Sequence, residues 1–139
     1  MSVKVEFTGK KSFKAIVAGH EIVTDLPVEK GGDYRGTTSL ELFIASKGCC
    51  VGIFAVSYKN TAKLDPEGFS VDVDWALDET KTRVGSFNIS LQAPSAEFEI
   101  RKKALLIAAE KCIVHNTLEN KPDIKFTVTE DATGSLNNT

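Results

Sequence analysis

Histidine occurs only at positions 20 and 115, and the enzyme signatures that rely on a fixed spacing are missing. There is no glycine-rich phosphate loop ending in Lys-Ser or Lys-Thr, no G-x-S-x-G turn and no H-E-x-x-H helix. Nucleotide hydrolysis, serine hydrolase chemistry and zinc peptidase chemistry therefore have no support, and no cofactor is expected. Basic charge is not in excess: the formal net charge is −2, and the largest basic groups are Lys10-Lys11 and Arg101-Lys102-Lys103. A nucleic-acid partner needs a positive surface to neutralise phosphates, so none is expected. Long hydrophobic runs are scarce too. The longest, Leu42 to Val56, is interrupted by Lys47 and is too short to cross a bilayer comfortably, so no membrane partner is expected. The first seven residues alternate polar and apolar where an export signal would carry an apolar block, which points to a cytoplasmic protein. Cysteine is sparse and odd in number, at 49, 50 and 112. Such a set does not read as a disulfide framework. It leaves three readings: buried apolar residues, a redox or nucleophilic site, or a metal site.

What is present reads as a single α+β domain over 1–139, with a frayed polar tail from about 131. Val3, Val5 and Phe7 alternate with Lys4 and Glu6 as a first strand, Phe13 to Val17 gives a second and Glu21 to Leu26 a third. A charged, glycine-rich loop runs from Pro27 to Gly36 and includes Arg35. Thr38-Ser39-Leu40-Glu41 has the form of a capping box, with Thr38 as N-cap and Glu41 reaching back. The helix it opens runs to about Asn60 and is apolar nearly all round, which calls for burial on every side. A homodimer is the economical means of covering it. Ser70 to Thr80 and Ser86 to Leu91 form a hairpin. Ser95 caps a second helix carrying the stripe Leu105, Ala108, Ala109 and Cys112. Ile124 to Val128 forms a last strand. The order is βββ-α-ββ-α-β with mostly antiparallel strands.

Helix geometry separates the adjacent cysteines. Cys50 lies three residues after Lys47, one turn away, whereas Cys49 has no cation among its neighbours on the helix. A nearby ammonium stabilises a thiolate, so Cys50 is the better nucleophile. Cys112 ends the apolar stripe of the second helix and points into the same interior. A disulfide between the two needs Cα atoms within about 7 Å, which sequence leaves open. A zinc site of Cys49, Cys50, Cys112 and His115 has suitable ligand types, but adjacent helical residues point about 100° apart. No metal is expected on that ground.

The stretch Gly31-Gly32-Asp33-Tyr34-Arg35-Gly36-Thr37-Thr38-Ser39-Leu40-Glu41-Leu42-Phe43-Ile44-Ala45-Ser46-Lys47-Gly48-Cys49-Cys50 resembles the first signature of the OsmC/Ohr family, the osmotically induced and organic-hydroperoxide-resistance proteins. Ala108-Ala109-Glu110-Lys111-Cys112-Ile113-Val114-His115-Asn116-Thr117-Leu118 is similar to the second. The resemblance implies an intertwined homodimer whose sheets wrap a pair of central helices. It implies a thiol-dependent reductase of organic hydroperoxides, with Cys50 attacking the peroxide, Cys112 resolving the sulfenic acid and an external dithiol restoring both. Lys47 and Arg35 would favour the thiolate, Glu41 lies next to the family's glutamate position, and Phe43 and Phe54 would line an apolar pocket. Leu40 stands where peroxidase members carry glutamate, and Ile113 stands where they carry proline. The alternative is a non-enzymatic ligand-binding or interaction protein whose cysteines are structural.

Overall fold

The computed structural model describes residues 2–93 and 98–130. Its first three strands, β1 (Lys4–Gly9), β2 (Ser12–Val17) and β3 (His20–Thr24), form an antiparallel sheet in the order β1-β2-β3. Phe7 pairs with Phe13 across β1 and β2, and their rings meet edge to face at 5.7 Å. The loop that follows is wound around Asp25. This buried carboxylate accepts hydrogen bonds from the backbone N–H groups of Leu26, Asp33 and Arg35 at 2.8, 3.1 and 3.1 Å.

Helix α1 (Ser39–Thr61) begins with the capping box read from the sequence. The Glu41 N–H donates to the Thr38 hydroxyl at 3.2 Å, and the Thr38 N–H donates to the Glu41 carboxylate at 2.9 Å. The buried residues Ile44, Lys47, Gly48, Val51, Ala55 and Lys59 recur every three or four positions and form one stripe. Strand β4 (Ser70–Leu77) packs against α1, and it pairs antiparallel with β5 (Val84–Gln92). Gly48 allows this approach, since a Cβ there would lie 3.0 Å from Val73 Cγ2.

A single chain covers only part of α1. Ala45, Cys49 and Ile53 on its other side are exposed, Ile53 to 64%. By length and composition the helix could also cross a membrane, a test that the core helix of a soluble protein passes as well. The second helix, α2 (Phe98–Glu110), ends before Cys112, which the sequence placed on its stripe, and Cys112 stands instead as the N-cap of a separate short helix, α3 (Ile113–Glu119). The expected cap at Ser95 and the tail from 131 lie outside the described residues. One expected element differs. Residues 124–128 form no strand, and Ile124, Phe126 and Val128 are 64%, 93% and 99% exposed. Their alternation suits a strand, but among the described residues they pair with neither sheet, and an unpaired strand is not stable alone.

Candidate functional site

Cys50, Cys112 and Lys47, all singled out from the sequence, meet where α1 packs on α2 and α3. Val51, Ala109 and Cys112 form a buried cluster, and Cys50, Phe54, Val71, Ile89, Leu91 and Val114 pack against it. Cys112 is fully buried, Cys50 half-buried and Cys49 exposed, and all three thiols are free. The helix offset between Cys49 and Cys50 thus separates them as expected. Among the described residues, no group of three or more His, Cys, Asp or Glu is arranged to hold a metal ion.

The two buried thiols are unequal. Burial alone would raise the Cys50 pKa. Against it act the neighbouring Cys112 thiol, the backbone N–H groups of Val114 and Ile113, and the Lys47 charge. Together they bring Cys50 below its ordinary value of 9.0. For Cys112, burial and the neighbouring Cys50 raise the pKa, although the His115 and Val114 amides oppose this. The His115 N–H donates to the Cys112 sulfur at 3.5 Å. One contribution depends on a departure from the family pattern. Proline at 113 would have no N–H to offer, whereas Ile113 keeps one.

Lys47 is 2% exposed, and its Nζ has no hydrogen-bond partner among the described residues. Burial lowers its pKa, while Cys112, Cys50 and Glu119 act in the opposite direction. The lysine also lines a cavity of about 220 Å³, together with apolar side chains of β5 (Phe87, Ile89 and Leu91) and Leu106 of α2. Glu110 and His115 are also part of its lining. The His115 ring pairs with Glu119 at 3.2 Å.

The remaining expectations fall elsewhere. Phe43 lies behind the cavity wall, with its ring edge-on to Phe87 at 6.1 Å, and Phe54 packs on the core cluster. Arg35 donates to the Thr8 carbonyl at 3.0 Å and lies 3.8 Å from the Asp25 carboxylate. Glu41 is fully engaged by the helix cap, with Thr37 and Thr38 as its partners. Neither Arg35 nor Glu41 is among the groups that act on Cys50. Sequence reading missed the backbone amides of Ile113 and Val114 and the lining from β5. The alternation Phe87, Ile89, Leu91 was the available signal for the latter.

A family model described as OsmC-like protein matches residues 30–127, a span that contains both cysteine-bearing helical segments. The chain belongs to the OsmC-like protein family. The family fold is matched by solved structures at low identity. An osmotic-stress-induced and detoxification response protein of Psychrobacter arcticus is 21% identical, with 84% of this chain and 87% of that one covered at a TM-score of 0.72. An OsmC-like protein of Mycoplasma pneumoniae is 18% identical, covering 86% and 87%, with a TM-score of 0.71. An organic hydroperoxide resistance protein OsmC of Legionella pneumophila is 18% identical, covering 86% and 90%, with a TM-score of 0.57. No curated protein matches the chain by sequence.

Proposed function

We propose that this OsmC-like protein is a thiol-dependent reductase of organic hydroperoxides, working in the cytoplasm as a homodimer. The observation that carries the reading is the unequal thiol pair. The more acidic Cys50 packs against the cluster that holds the less acidic Cys112, one helical turn from the buried Lys47, which itself lines a largely apolar cavity. Solved relatives with this fold include organic hydroperoxide resistance proteins, which supports it. The Cys50 thiolate attacks the distal oxygen of the hydroperoxide and becomes a sulfenic acid as the alcohol leaves. Cys112 condenses with the sulfenic acid, giving a disulfide and water, and an external dithiol reduces the disulfide. Cavity walls of Phe87, Ile89, Leu91 and Leu106 favour an organic substituent over hydrogen peroxide. Lys47 supplies charge to the thiolate. We assign Glu41 to the helix cap and Arg35 to the loop around Asp25. One equivalent of cumene hydroperoxide followed by peptide mapping tests the reading. A Cys50–Cys112 bridge is expected, whereas Cys112→Ser should stop at the Cys50 sulfenic acid, which a second equivalent of hydroperoxide overoxidises to the sulfinic acid. A Cys49–Cys50 bridge, or no oxidation at all, refutes it.

A second reading rests on Leu40, which leaves the family's glutamate position without a carboxylate. In it the protein binds a ligand and the cysteines are inert. Slow, equal alkylation of all three thiols would favour that reading.

A further inference from the structure

Lys47 has no ordinary structural explanation. It is 2% exposed and its Nζ is without a hydrogen-bond partner among the described residues. No carboxylate lies within ion-pair distance of it among the described residues, and Glu119, the acid that acts on it, is engaged by His115. The groups around it can be named by element. Cys50 comes from its own helix, Cys112 and Glu119 from the segment beginning at the α3 cap, and His115 and Glu110 share its cavity. Strand β5 contributes only Phe87, Ile89 and Leu91 there. A buried cation without an acid partner is costly and contributes nothing to the fold. Lys47 lies one helical turn from Cys50, Cys50 packs against the cluster that holds Cys112, and both thiols act on the lysine. That neighbourhood suggests a different use, because an amine can exchange protons with thiols and a guanidinium cannot.

We propose that Lys47 is the proton carrier of both half-reactions, taking a proton from each thiol in turn and giving it to the oxygen that departs. This rests on the hydroperoxide reading above. The neutral amine first takes the Cys50 proton, leaving a thiolate–ammonium pair. The thiolate attacks the distal oxygen, an S–O bond forms and the O–O bond breaks. Its electron pair goes to the RO oxygen, which takes the ammonium proton and leaves as ROH. The sulfur is oxidised and the peroxide reduced. The amine then takes the Cys112 proton, and that thiolate attacks the Cys50 sulfur. The S–S bond forms, the S–O bond breaks, and hydroxide leaves with the proton of Lys47 as water. The sum is two thiols and ROOH giving a disulfide, ROH and water, with Lys47 regenerated. Burial suits the scheme because it keeps the neutral amine accessible at each stage.

Lys47→Arg separates this role from mere charge, since arginine still stabilises a thiolate but is too weak an acid to be a carrier. Two rates are read on the full chain: iodoacetamide alkylation of Cys50, and closure of the Cys50–Cys112 disulfide. Closure is driven once by cumene hydroperoxide and once by diamide, a neutral azo oxidant. The Cys50 thiolate adds to diamide, Cys112 then displaces a hydrazine from the adduct, and Cys112 must lose a proton in either case. Lys47→Arg should alkylate at the wild-type rate within about twofold, yet close about a hundredfold more slowly at pH 7, and regain rate as hydroxide replaces the amine at higher pH. Lys47→Met, which serves if the arginine variant fails to fold, should be slow in both rates and show the same pH rescue of closure. Closure at the wild-type rate in either variant overturns the proposal. A wild-type protein that ignores hydroperoxide but closes with diamide overturns the peroxidase reading alone.

Discussion

Replacing Lys47 by Met should make the protein more stable and Cys50 less reactive. The side chain is 2% exposed and its Nζ lacks a hydrogen-bond partner among the described residues, so folding strips water from a polar group without replacing it there. An unsatisfied buried group of this kind costs about 1–3 kcal/mol. Methionine has nearly the same reach, fills the same channel and carries no such group. The expected gain is therefore about 1–3 kcal/mol, or about 3–10 °C in Tm for a chain of this size. The sign of the pH dependence follows from burial, which sets the Lys47 pKa below its ordinary value of 10.5. Between the folded and unfolded values the unfolded chain holds the extra proton, so wild-type stability rises with pH across that window. The penalty is full below the folded pKa and fades towards 10.5, so the advantage of Lys47→Met should shrink over the same range. Iodoacetamide alkylation of Cys50 at pH 7 should slow at the same time, since the Lys47 charge is among the causes that lower its pKa. Thermal denaturation across pH, run beside alkylation, checks both. A variant less stable than wild type by about 1 kcal/mol or more would show that Lys47 is satisfied after all and would refute the reasoning.

Three other perturbations separate the roles of neighbouring groups. Ile113→Pro removes one N–H donor to Cys50 at the first position of α3, where proline is well tolerated. Cys50 alkylation at pH 7 should fall by about 2- to 12-fold, the worth of one hydrogen bond, with Tm little changed; an unchanged rate counts against the amide contribution. Thr38→Ala should cost about 1 kcal/mol by chemical denaturation and leave Cys50 alkylation as it was, because the capping box serves the helix end; a loss of thiol reactivity would return Glu41 to the chemistry. Ile53→Glu places a charge on the uncovered side of α1 and should turn a dimer into a monomer by sedimentation at low micromolar concentration, whereas a wild-type monomer would remove the dimer from the account.

Local signals in the sequence were sufficient for most elements. The Thr38–Glu41 cap, the strand alternation around Val71 and Ile89, and the Lys47 to Cys50 spacing each depend on residues close in the chain, and each appears in the structure. What was not legible depends on contacts far apart in sequence or beyond one chain. The break at Cys112 follows from its role as a cap for α3, which the stripe Leu105–Ala109–Cys112 disguised as helix continuation. The Ile113 and Val114 amides are backbone groups and leave no mark on residue type. Residues 124–128 carry a strand pattern but pair with no strand among the described residues, so the pattern alone could not decide their state. Phe43 and Phe54 belong to α1, whereas the cavity beside Lys47 also draws its lining from β5, α2 and α3, elements far away in the chain.

The most direct test of the central claim is steady-state consumption of cumene hydroperoxide by the reduced protein with an excess of a small dithiol. The account predicts repeated turnover by the wild type, faster with cumene hydroperoxide than with hydrogen peroxide, and no turnover by Cys50→Ser. Equal consumption by Cys50→Ser, or none by the wild type, would contradict it.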